Sequence, residues 1–233
     1  MEEAVVMNKL MVFLLAFGLC GVTCLAESKA DVEKRLDNAA TVLKQVTSAP
    51  DKGIPQEVLS GAKCVAVVPK MVKAGFGIGG QHGRGVATCN VNGTWSAPAF
   101  FSLSGGSFGF QIGAEGVDLV ILVMNQNGMQ ALLSDKFQVG GDASAAAGPV
   151  GRDATAAADW KAHPLLTYSR TKGVFAGVSL NGAVMTQDKD ATQAFYGQPK
   201  ASQQILSGAV QAPPEAKGFL NEVQHAETVA RTR

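Results

Sequence analysis

With 233 residues, 27 of them glycine, 46% hydrophobic and only 17% charged, the chain is long enough for one well-buried domain and has the low charge of a compact β-rich interior. Its 20 Lys and Arg nearly balance 19 Asp and Glu, which excludes a general nucleic-acid-binding surface and makes any anion site a local one. The three histidines, His82, His163 and His225, share no ligand spacing, so no metal motif is present.

Lys9 precedes an apolar run over residues 10–25, and Cys24-Leu25-Ala26 offers small residues where a signal peptidase reads. At about sixteen residues the run is shorter than the roughly 20 a spanning helix needs. The expectation is a signal peptide over 1–26, cleaved after Ala26, and an exported chain, periplasmic or secreted. An uncleaved anchor and lipidation at Cys20 or Cys24 are the alternatives. Loss of Lys9, Glu2 and Glu3 with the leader leaves 19 basic against 17 acidic side chains, a formal +2. Cys64 and Cys89 stay in the mature chain, either as a disulfide or as two buried thiols in neighbouring strands. A bond closing a loop of about 25 residues is worth roughly 3 kcal/mol in the chain-entropy picture.

Residues 30–47 predict an amphipathic helix, with Val32, Leu36, Ala39, Ala40, Leu43 and Val46 recurring at three and four residues. Pro55 and Gly61 frame a short second helix over 54–60. Residues 64–68 predict a buried strand stopped by Pro69, and the glycine-rich 75–85 separates it from a return strand over 85–90. Asn92-Gly93 marks a tight turn. Strands follow over 99–103, 107–113 and 117–124, the last apolar enough to lie centrally with both faces covered.

Residues 126–134 predict a short helix, and 137–147 either a close-packed strand or a buried loop. Residues 165–169 and 174–185 form a hairpin whose turn carries Arg170 and Lys172. A capped helix over 188–195, another over 201–206, a break at Pro213-Pro214 and an amphipathic segment over 215–229 complete the chain. The fold class expected is α+β: a strongly bent antiparallel sheet or barrel-like core with an N-terminal helix and short C-terminal helices.

The glycines of 75–80 fit GxGxxG, but the following Gln81-His82-Gly83-Arg84-Gly85 cannot propagate the helix that a dinucleotide loop requires. Glycines that let strands bend and approach closely are the better explanation. Ser102 and Ser104 stand outside GxSxG, and Glu115, Asp118, Asp135 and Asp142 are scattered, so the pattern carries no catalytic constellation and no cofactor site. Lys70, Lys73, Arg84, Arg152, Arg170 and Lys172 all lie beside loops. Gathered at one end of the sheet they would form a cationic mouth for phosphate groups; the alternative is scattered surface charge.

Several stretches then coincide with one family. Residues 63–69 (KCVAVVP), 73–77 (KAGFG), 83–86 (GRGV), 95–100 (WSAPAF), 109–113 (GFQIG), 148–152 (GPVGR) and 168–180 (YSRTKGVFAGVSL) run in the order of a SYLF domain, which the chain resembles over roughly 32–197. The resemblance implies a non-catalytic lipid-binding module, here residues 27–200 followed by a helical tail over 201–233. Members in fungi, plants and animals bind phosphoinositides and some bind actin, often beside an SH3 or FYVE domain. This chain resembles the stand-alone exported bacterial type, for which anionic phospholipid headgroups or an envelope protein are the expected partners, without nucleic acid. Actin binding is not carried over, because no motif here matches it.

Overall fold

The computed structural model describes residues 27–48, 53–150, 162–171 and 174–231, with backbone alone at 47, 76–78 and 107–114. The leader over 1–26 and the cations Arg152 and Lys172 lie outside the described residues. Helix α1, Lys29–Thr47, opens on a capping box in which Ser28 Oγ accepts the Asp31 N–H and Asp31 accepts the Ser28 N–H. Its buried stripe is Val32, Leu36, Ala39, Val42, Leu43 and Val46, and the cation Arg35 lies in the same stripe. Helix α2 is Gln56–Gly61, with Pro55 at its N-cap.

Strand β1, Cys64–Val91, and strand β3, Ala99–Val123, pair antiparallel along nearly their whole length, from Cys64 opposite Val123 to Ala87 opposite Ala99. The glycine-rich stretch is therefore strand, not a separator. Pro69 does not end it either. The register shifts between Val68 and Met71, Lys70 takes φ 52, and its N–H donates to Asp118 Oδ1 at 3.0 Å, so the missing proline donor is absorbed by a bulge.

The ribbon also folds back on itself. Cys64 and Cys89, both fully buried, form a disulfide, and the Asn90 N–H donates to Lys63 O at 2.8 Å. A Cβ on Gly85 would stand 2.7 Å from Val67 O, and one on Gly83 2.4 Å from Val68 Cγ1. The two arms of β1 thus touch at positions that only glycine can occupy. Of the two cysteine readings, the bonded one holds.

Strand β2, Thr94–Trp95, pairs with the end of β1 through the turn at Asn92 and Gly93, both at positive φ. Helix α3 is Gln126–Leu133, and strands β4, Lys136–Gln138, and β5, Ala145–Ala147, divide the segment expected as strand or loop. Strand β6, Leu165–Thr171, pairs with the second half of β3 and with β7, Val174–Gly177. The expected strand 174–185 is broken: β8, Val184–Gln187, crosses instead to the first half of β3 and to β4. β5 and β6 run parallel, a departure from the all-antiparallel expectation that the long connection over 148–164 permits.

Helix α4, Lys189–Tyr196, is capped by Asp188; α5, Ser202–Leu206, and a 3-10 turn, Pro214–Ala216, lead into α6, Lys217–Arg231. The result is a strongly curled eight-stranded sheet with helices, as expected. Side chains alternate between two apolar layers: Val65, Val67, Phe100, Val120 and Leu122 beneath α1, α4 and α6, and Ala66, Val68, Phe101, Leu119 and Ile121 on the other face with α3 and α5. Residues 119–123 are covered on both faces. Helix α6 is part of this core, burying Phe219, Val223 and Ala226 against the α1 side.

Candidate functional site

Among the described residues, the sequence-derived cations Lys70, Lys73, Arg84 and Arg170 do not form one mouth. Arg170 Nη1 donates to Asp118 Oδ2 at 2.9 Å, its side chain is 20% exposed, and its guanidinium lies 5.9 Å from the Phe175 ring. Because Asp118 also takes the Lys70 N–H, it joins the β1 bulge to β6. Lys73 is half-buried opposite Glu115; desolvation pushes its ammonium below the ordinary value, and the Glu115 charge opposes that.

Lys70 and Arg84 do converge. They meet across the β1 bulge, where the first turns of α1 pass over the strand and leave an open cleft of about 400 Å³. Lys34 and Arg35 line it from the helix, Lys70 and Arg84 from the strand, and Glu27 and Asp31 supply the acids. Lys34 and Lys70 are exposed at the rim, and Arg84 is 54% exposed.

Arg35, 6% exposed, forms the floor. It donates to Asp188 Oδ2 at 3.1 Å, pairs with the Glu27 carboxylate and lies 5.7 Å from the Phe100 ring. Asp188 caps α4 with its other oxygen through the Ala191 N–H, so one buried guanidinium links α1, α4 and the segment ahead of α1. Glu27 continues the chain of charges to Arg84 Nη1 at 3.2 Å. Composition hid Arg35, Lys34 and Glu27. Arg35 was findable, since a cation three residues after Val32 and one before Leu36 interrupts the apolar stripe.

His82 also lines the cleft; its Nδ1 lies 2.8 Å from Ser104 Oγ, its cross-strand partner, and both side chains are exposed. Asp142 accepts the Gln138 N–H, a local turn bond. Among the described residues no group of three or more His, Cys, Asp or Glu side chains could hold a metal ion. No described helix is long and apolar enough to cross a membrane.

The family's motif residues are packing devices. Trp95 Nε1 donates to Glu227 Oε2 of α6 at 2.9 Å, and Tyr196 of α4 donates to Pro98 O at 2.7 Å. A Cβ on Gly148 would stand 2.0 Å from Tyr168 Cζ, so the GPVG and YSR stretches are pressed together.

Curled sheet, covering helices and an open charged cleft define a small binding domain. The family profile described as "Ysc84: Las17-binding protein actin regulator" matches residues 104–226. Similar proteins include LAS seventeen-binding protein 3 of Saccharomyces cerevisiae, 36% identical over 193 residues that make up 80% of this chain and 42% of that protein. Another is SH3 domain-containing YSC84-like protein 1 of Xenopus laevis, 35% identical over 188 residues, 77% of this chain and 56% of that protein. The chain belongs to the Ysc84 family, the SYLF-domain family of the sequence resemblance. It spans about half the length, or less, of these curated relatives.

Proposed function

We propose that the chain is an exported, non-catalytic domain that binds anionic phospholipid headgroups at the cell envelope. The observation that carries this reading is the open cleft where Lys34, Lys70 and Arg84 surround a buried Arg35. Arginine offers a phosphate two parallel donors, and lysine adds point charge at the rim. Arg152 and Lys172 are proposed as further contacts from their places beside loops, whereas Arg170 and Lys73 already have partners within the sheet.

Flotation with phosphatidylglycerol vesicles tests the assignment. Each cation near an anionic surface contributes about 1 kcal/mol, so Lys34→Glu with Lys70→Glu should lower partitioning at least about tenfold with unchanged far-UV CD. Equal partitioning of the variant and the parent chain would sink it.

A second reading, an envelope protein-interaction domain without a lipid ligand, draws on the family description, which names a protein-binding actin regulator. Retention of an envelope protein by the chain, with no vesicle flotation, selects that reading.

A further inference from the structure

The cleft already contains an anion of its own. The Glu27 carboxylate, 10% exposed, pairs with Arg35 and lies 3.2 Å from Arg84 Nη1. Its two partners depend on it unequally. Arg35 keeps Asp188 Oδ2 at 3.1 Å and the Phe100 ring if Glu27 moves away, so no buried charge is stranded. Arg84 is more than half exposed, and its guanidinium needs little further desolvation to meet an incoming anion.

We infer that this cleft is a phosphate-binding site whose internal occupant is Glu27: a phosphate group displaces the carboxylate from Arg84 and is held by Arg84, Lys70 and Lys34. This deepens the headgroup reading and rests on it for the choice of a lipid phosphate over a free one. The lining carries four cations, Lys34, Arg35, Lys70 and Arg84, against two acids, Glu27 and Asp31. Departure of Glu27 therefore raises the local balance from +2 to +3, which accommodates the single charge of a phosphodiester headgroup as well as the higher charge of a free phosphate. A tethered carboxylate competes at high effective concentration, so the site's apparent affinity is reduced by the fraction of time Glu27 occupies it.

In a chain that retains Ala26, so that position 27 is not N-terminal and cannot cyclise, Glu27→Gln keeps the shape and removes the competing charge. Titration calorimetry with inorganic phosphate and flotation with phosphatidylglycerol vesicles form two arms, each run on the parent chain, Glu27→Gln and Arg84→Gln. The expected result is binding tightened about three- to tenfold by Glu27→Gln and weakened by Arg84→Gln. Tightening in both arms, or with vesicles alone, supports the site with a headgroup as its ligand. Tightening with inorganic phosphate alone supports the site and overturns the headgroup reading. Equal or weaker binding by a folded Glu27→Gln variant in both arms overturns the inference, whether or not the parent chain floats with vesicles. Should that variant fail to fold, the ¹³C resonance of the Glu27 carboxyl in the parent chain decides. It should move on saturation with phosphate, and a fixed resonance overturns the displacement.

Discussion

Gly148 shows how one missing methyl joins two distant stretches. A Cβ there would stand 2.0 Å from Tyr168 Cζ and 2.3 Å from its hydroxyl oxygen, and a Cβ on Gly177 would stand 2.4 Å from Gly148 O. Gly148→Ala is therefore expected to cost about 1–3 kcal/mol by overpacking, measured as a lower urea midpoint. Gly116→Ala, with nothing within 4 Å of its Cβ, is the control and should change stability by less than about 0.5 kcal/mol. Equal effects of the two would remove the packing argument. Single residues also set how much of the site could be read from sequence. Loop position selected Lys70 and Arg84, which line the cleft, together with Arg170, whose carboxylate partner stands 52 positions away. Arg35 and Glu227 are charges placed on the apolar stripes of their helices, and such interruptions are a better guide to buried ion pairs than closeness to a turn.

At the scale of elements, the helices were legible because one face repeats at helical spacing: α1, α3, α4 and α5 begin and end within about two residues of their expected bounds. Strand β1 was not. Proline and glycine normally end strands, but here a bulge absorbs Pro69 and a second pass of the same strand occupies the space that side chains at Gly83 and Gly85 would fill. That second pass is a long-range contact without local signature, and Cys64–Cys89 secures it. Replacing both cysteines with alanine should lower stability by about 2–4 kcal/mol, seen as a lower denaturant midpoint with a slope no smaller than the parent's, because the uncross-linked denatured chain exposes more surface. An unshifted midpoint would mean that the β1–β3 ladder alone holds the fold.

Across the whole molecule, the cleft depends on α1 staying seated, and two ionic contacts at its first turn are sensitive to acid. The Ser28 hydroxyl and then its N–H hold the Asp31 carboxyl below its ordinary value, and Lys29, 2.5 Å away, does the same for Glu215 of the 3-10 turn ahead of α6. A carboxyl with a folded pKa below its unfolded one contributes stability that is complete above the unfolded value. That contribution is lost as the pH falls through the folded value. Both contributions should therefore fade from about pH 4.3 downward. Lys29, raised by the same bond to Glu215, keeps that contribution only while Glu215 is ionised, and loses it again at strongly alkaline pH as its own ammonium gives up its proton. Lys73 has the opposite sign: its depressed value means that the unfolded chain binds the extra proton, so stability rises with pH as Lys73 loses its charge. The thermal midpoint should accordingly fall between about pH 5 and 3 in the parent chain. In Asp31→Asn with Glu215→Gln the midpoint should start lower at neutral pH and fall less steeply. An acid limb of unchanged slope in the double variant would place the acid sensitivity elsewhere.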